Sequence, residues 1–341
     1  MMQAVISSEF LISPAFKEND ALRKAIKDII KINKMVRHDH KLDILTEDDA
    51  IQKLIDVDLY PSEPIFKENL IKNGLSDEFS SHDIVTMIHS IIERSEKISE
   101  YTDIFDVDYK TVETTPPIDE ENLKVDLDGF IHGLVFISVL NDILGLNLYL
   151  ISNQYHSNSE VNLKSDQIIY YRENCETINL YNKNISLLPS INNFLLTIGS
   201  EIIWNTVSNN NSLYLSIYTR ILELQIEVGD DSQEFDFESF SIGDNFISSL
   251  EQHQCAPGQR FGTACFETMA RVIFGMPKYE VKPFRENISA NSPIRTRGTD
   301  KAYRTHVTKG AEGIRLMLWQ SQNGTYELAN VGNKFQLIIY E

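Results

Sequence analysis

The run Tyr303-Arg304-Thr305-His306-Val307-Thr308-Lys309, with Arg315 shortly after it, holds side chains able to act on a phosphodiester. From Arg295 to Arg315, six lysines and arginines stand against Asp300 and Glu312. Cleaving RNA without a metal needs one group to take the 2′-hydroxyl proton and another to protonate the leaving 5′-oxygen. It also needs fixed cations for the charge that gathers on phosphorus. A histidine serves either proton role near neutral pH. Arginine serves the last, because a guanidinium matches two phosphate oxygens at once and keeps its charge. His306 is therefore the candidate general acid/base. Arg304, Lys309 and Arg315 are the phosphate contacts, and Arg295 and Arg297 bind further along the substrate. If 302–308 is extended, Arg304, His306 and Thr308 share one face, and Arg315 joins them from the neighbouring strand. The plainer reading of the same residues is a loop histidine beside a solvated or domain-docking basic surface.

The elements that must position these residues close the chain. Segments 314–320, 325–331 and 334–340 alternate as strands, joined at Asn323-Gly324 and Gly332-Asn333, residue pairs suited to tight hairpin turns. With two-residue turns, Trp319 faces Leu328, Met317 faces Asn330 and Arg315 lies opposite Gly332. Arg315, Met317, Trp319, Tyr326, Leu328, Asn330, Phe335, Leu337 and Ile339 then line one sheet face. An RNA base can stack on Trp319 or Tyr326 at its rim, with Tyr303 a further contact. Equally, Trp319 and Tyr326 are cross-strand core aromatics. Upstream, 242–252 and 259–274 read as helices and 279–284 as a strand, which completes a basic α+β module over 240–341.

The rest of the chain differs in charge. The formal net charge is −19, yet from Ala256 onward 12 Lys+Arg outnumber 7 Asp+Glu. An acidic body repels nucleic acid, so RNA contacts belong to the C-terminal module. The body itself suits a basic protein partner. Residues 1–115 read as a helical domain: 1–13 is an edge strand, and 19–36 is an amphipathic helix with a lysine stripe. Helices 50–57 and 84–98 follow, each preceded by cap residues. An acidic loop with Pro116-Pro117 leads to a mixed α/β domain over 118–229. There 123–151 reads as a helix running into a strand, 168–171 and 177–181 as strands, and 190–207 as a helix. For 212–228, periodicity leaves helix and strand both open. The acidic stretch 230–238 marks the last boundary. The fold class is thus α+β: helical, then mixed, then two helices with an antiparallel meander.

The module 240–341 resembles the small metal-independent RNases of RelE-type toxins, which belong to a wider group with barnase, EndoU and colicin RNases. The resemblance rests on two helices followed by a chain-ending antiparallel sheet, with Arg, His and Lys on its first strands. It implies an endoribonuclease toxin of bacterial or phage conflict, working in the cytoplasm, with the acidic remainder sensing or restraining it. Such toxins keep further basic or tyrosine residues in the final strand; here that segment offers Lys334 and Tyr340. The alternative is a non-enzymatic immunity or accessory protein whose acidic body binds a basic partner.

Other motifs are incomplete. Glu280-Val281-Lys282 is half of a metal-nuclease signature, but no aspartate stands at an upstream strand start. His253, Cys255 and Cys265 lack a fourth zinc ligand, and three cysteines give no disulfide framework. The turn 257–262 opens a helix without matching a phosphate-loop spacing. No cofactor, metal or membrane span is expected: the apolar stretch 130–151 is interrupted by His132, Asn141, Asp142 and Asn147 and reads as buried helix and strand.

Overall fold

The computed structural model describes residues 2–37, 44–121, 123–154, 157, 159–229, 235–287, 289, 291–310, 313–336 and 338–340. The chain forms two compact units, 1–194 and 195–341, and its class is α+β. Glu312, Leu337 and residues 230–234 of the acidic stretch lie outside the described residues.

In the first unit, strands β1 (Met2–Ile6), β2 (Ile44–Thr46), β3 (Glu96–Lys97), β4 (Asp106–Thr115), β5 (Asn147–Ile151), β6 (Ser159–Tyr171) and β7 (Cys175–Leu188) form one mixed sheet. Among the described residues its order is β3-β2-β1-β5-β7-β6-β4. The first five in that order run parallel, whereas β6 pairs antiparallel with both β7 and β4. Helices α1 (Ser8–Ile12), α2 (Asn19–Arg37), α3 (Ala50–Asp56), α4 (Glu63–Lys72), α5 (Ser81–Arg94) and α6 (Leu127–Leu144) complete the unit. Strand β1 is internal, not an edge: Ala4, Val5 and Ile6 are fully buried between two parallel partners. A strand buried on both faces has no polar alternation to reveal it. The sheet also takes strands from both sides of residues 116–117, where the sequence suggested a boundary.

Helix α6 follows the expectation for 123–151. Asp126 caps it by accepting from the Gly129 amide, Gly145 ends it at φ +64°, and β5 begins two residues later. It is long and apolar enough to cross a membrane by length and composition, and half of that stretch is buried inside the unit.

The second unit opens with the end of α7 (Ile191–Ile198), then α8 (Ser200–Asn205), α9 (Asn210–Val228), β8 (Phe240–Ile242), α10 (Phe246–Gln252) and α11 (Gly262–Ile273). The expected helix over 190–207 is broken at Gly199, whose φ of +83° ends one helix before the next begins. Helix α9 resolves the open reading of 212–228. Leu213, Leu215, Ile217, Tyr218, Ile221 and Leu224 are all nearly inaccessible, so burial round most of the helix erases its amphipathic period.

The sheet of this unit holds β9 (Lys282–Pro283), β10 (Thr296–Arg297), β11 (Asp300–His306), β12 (Arg315–Gln320) and β13 (Tyr326–Gly332), in order β10-β11-β12-β13-β8, with β9 also on β11. One face carries Leu316, Leu318, Leu328 and Val331 into a core shared with α9, α10 and α11. The other buries Phe284, Ala302, Met317, Trp319, Ala329 and Ile339.

Two of the three meander strands form as expected, and Gly324 turns at φ +90°. Among the described residues, the segment after Gly332 does not pair as a strand. It crosses the second face, where Asn330 Nδ2 donates to Ile338 O (3.3 Å) and Trp319 Nε1 to Tyr340 O (2.7 Å). The edge of β13 is taken instead by β8, running parallel. A Cβ at Gly332 would meet the side-chain ends of Gln336 and Met317, which would have to swing aside. On the helix side, Ser249 Oγ is fully buried and accepts from the Val331 amide (3.0 Å). Ser249→Ala leaves that amide without a partner and is expected to cost about 1–3 kcal/mol, read as a lower urea midpoint with an unchanged slope.

Candidate nucleic-acid interface

Strands β11 and β12 pair antiparallel with His306 opposite Arg315, Arg304 opposite Met317 and Ala302 opposite Trp319. Alternation therefore puts Arg304, His306 and Arg315 on one face, beside the small cluster around Phe284. The Phe284 ring, 1% exposed, lies under two guanidinium groups, with Arg304 at 4.8 Å and Arg295 at 4.7 Å from its centroid. Tyr279 stands edge-on to the His306 ring (centroids 6.2 Å apart), and the Lys309 ammonium sits 4.3 Å from the Tyr279 centroid. Thr305 Oγ1 holds that segment by donating to the carbonyls of Tyr279 (2.9 Å) and Glu280 (3.2 Å).

Among the described residues, no carboxylate lies within 4.0 Å of Arg304, Lys309 or Arg315. Arg315 Nη1 donates only to Lys334 O, at 3.3 Å. Glu280, close in sequence to Tyr279, is tied to Lys282 at 3.1 Å. Like charges gathered on one face, with no counter-charge among the described residues, repel one another and favour an incoming anion. The titrations respond accordingly. Burial, then Arg315 and Arg295, lower the Arg304 pKa from its ordinary value. Burial pushes His306 below the usual histidine value, the Thr308 backbone opposes this, and Arg315, Lys309 and Arg304 push it further down. The neutral form of His306 is thus favoured, and its Nδ1 is buried with no partner at hydrogen-bonding geometry among the described residues.

The structure brings together Arg304, His306, Lys309 and Arg315, and places the other named residues differently. Arg297 is occupied: it forks onto Glu327 with two bonds of 2.8 Å, meets Asp300 at 3.1 Å, and covers the Trp319 ring at 5.0 Å. Arg295 donates to the carbonyls of Arg285 (3.2 Å) and Glu286 (3.3 Å), which makes it a loop fastener. Trp319 is 3% exposed, between Arg297 and the final segment, and offers no open face for a base. Tyr303 and Tyr326 pack against the helix-covered core, on the opposite face from His306. Thr308, beyond the end of β11, accepts from the Ile314 amide (3.1 Å). The face expected from two-residue turns is altered by a bulge between Met317 and Leu318: Trp319 pairs with Glu327, Leu328 enters the helix-side core, and Ala329 takes its place.

Tyr279 and Phe284 are the residues that sequence reasoning missed at this site. Their signal was the basic side chains that close around them, which only the pairing of β9 with β11 brings near. Elsewhere in the unit, a cleft of about 730 Å³ is lined by residues of α8, α9 and the start of α11, none of them from the cationic cluster. There Arg220 is held by Glu223, Glu227 and Glu267. Glu327→Ala is expected to leave Arg297 on Asp300 alone and lower stability by about 1 kcal/mol, the modest scale of partly exposed ion pairs, with RNA affinity unchanged. A urea melt and an RNA titration on one preparation check both parts.

No family model matches the chain, and searches of the curated proteins and of the solved structures returned no similar protein.

Proposed function

We propose that the C-terminal unit acts on RNA as a metal-independent endoribonuclease of toxin-like character, in the cytoplasm and in the setting of bacterial or phage conflict. The observation that carries this reading is the cluster Arg304–His306–Arg315: two guanidinium groups with no carboxylate partner among the described residues, flanking a histidine whose pKa is lowered. In the proposed step His306 takes the 2′-hydroxyl proton as the 2′-oxygen bonds to phosphorus. The bond from phosphorus to the 5′-oxygen breaks, and that oxygen leaves with a proton from water. The products are a 2′,3′-cyclic phosphate and a 5′-hydroxyl. Arg304, Arg315 and Lys309 balance the charge on the phosphorane.

The test is incubation of the full chain, in chelator, with an end-labelled single-stranded RNA and with its all-2′-deoxy equivalent. Cyclic-phosphate ends from the RNA alone are the expected result. Binding of both strands without cleavage would leave RNA binding and remove the catalytic role. A second reading, a non-enzymatic protein that binds a basic partner, is favoured by the charge of residues 1–194, where 33 Asp+Glu stand against 18 Lys+Arg. Failure to bind either strand would select it.

A further inference from the structure

We infer that the first unit binds a phosphate group in a recess at the carboxyl ends of β1, β5 and β7. Strand β1 has β2 on one side and β5 on the other, all parallel. The chain moves outward from β1 through β2 to β3, then returns by way of β4 and α6 to β5. The connections thus part between β1 and β5, and in open α/β sheets ligands enter the crevice outside the strands at such a switch point. A recess of about 130 Å³ lies there, its lining including Phe10, Lys17, Lys24, Asp28, Asn153 and Pro189. Asn153 stands two residues beyond β5 and Pro189 directly follows β7.

The charge of the recess selects its occupant. Helix α2 carries six of the 18 Lys+Arg of residues 1–194, against two Asp+Glu, in a unit otherwise strongly acidic. Asp28, 2% exposed, pairs with Lys31 at 3.5 Å. Glu9 is turned to Ser152 Oγ (2.5 Å) and the Asn153 amide (2.6 Å). Among the described residues, Lys17 and Lys24 have no carboxylate within 4.0 Å. The volume, about four waters' worth at ~30 Å³ each, holds a phosphate group and leaves the remainder of any larger ligand in solvent.

The experiment uses the full chain carrying Arg304→Ala, Lys309→Ala and Arg315→Ala, so that the C-terminal cluster contributes no anion site. Calorimetric titration with inorganic phosphate and with ATP is compared before and after adding Lys17→Met and Lys24→Met, with circular dichroism to confirm folding. Binding of one site per chain, weakened at least tenfold by the lysine changes, is expected. Tighter binding of ATP than of phosphate identifies a nucleotide as the source, and equal binding identifies free phosphate; either supports the site. No binding, or binding indifferent to both lysines, overturns it.

Discussion

Arg304→Ala combined with Arg315→Ala should weaken RNA binding about 10²- to 10⁴-fold while leaving the protein as stable as before or more so. Each guanidinium making a charge-assisted bond to phosphate contributes roughly 1.5–3 kcal/mol, and the two lie on one face of the sheet with no carboxylate to release among the described residues. The salt dependence should fall in step: two fewer phosphate contacts on a single strand flatten the log–log slope by about 1.4. Most arginine deletions at a packed site destabilise. Here removal relieves the repulsion that adds to burial in lowering the Arg304 and His306 pKa values, so affinity and melting temperature should move in opposite senses. Equal losses in both would mean that the arginines are structural.

His306→Ala should reduce cleavage by about 10²- to 10⁴-fold, the usual contribution of a general acid/base, with RNA affinity changed less than about threefold. The pH dependence identifies the role. Burial and three cations lower the folded-state pKa of His306. A base with a lowered pKa keeps cleavage active below pH 6.5, and activity is lost only when pH falls through the folded value. Stability carries the same sign, because the unfolded chain binds the proton more readily. This contribution is present above the unfolded pKa of about 6.5 and lost as pH falls through the folded one. His306→Gln should remove both the acidic limb of the rate profile and that part of the acid destabilisation. A profile that keeps its acidic limb in His306→Gln would assign the base elsewhere.

How far the sequence disclosed this arrangement depended on whether a residue's neighbours were local. Strand alternation and one hairpin were enough to bring Arg304, His306 and Arg315 to a shared face, since β11, β12 and β13 are adjacent in the chain. A bulge after Met317 changed which residues stay on that face, because an extra residue in one strand leaves no compositional trace. Arg297 was legible as a cation and not as a bound one: its partner Glu327 lies thirty residues away. In the first unit, 168–171 and 177–181 showed only the ends of a hairpin that runs Ser159–Tyr171 and Cys175–Leu188. Its exposed stretches are polar on both faces, with Asn162 bonded to Asn182 and Asn184, so hydrophobic period cannot find them. The parallel core was legible as buried apolar runs but not as a sheet, because β1, β2 and β5 are separated by whole helices.

The most direct measurement follows the His306 ring resonances of the full chain through a pH titration, without and with a short single-stranded RNA. A phosphate held between Arg304 and Arg315 should shift the His306 signals and raise the pKa read from them, and both effects should vanish in the double alanine variant. RNA that binds while His306 stays unmoved would contradict the account.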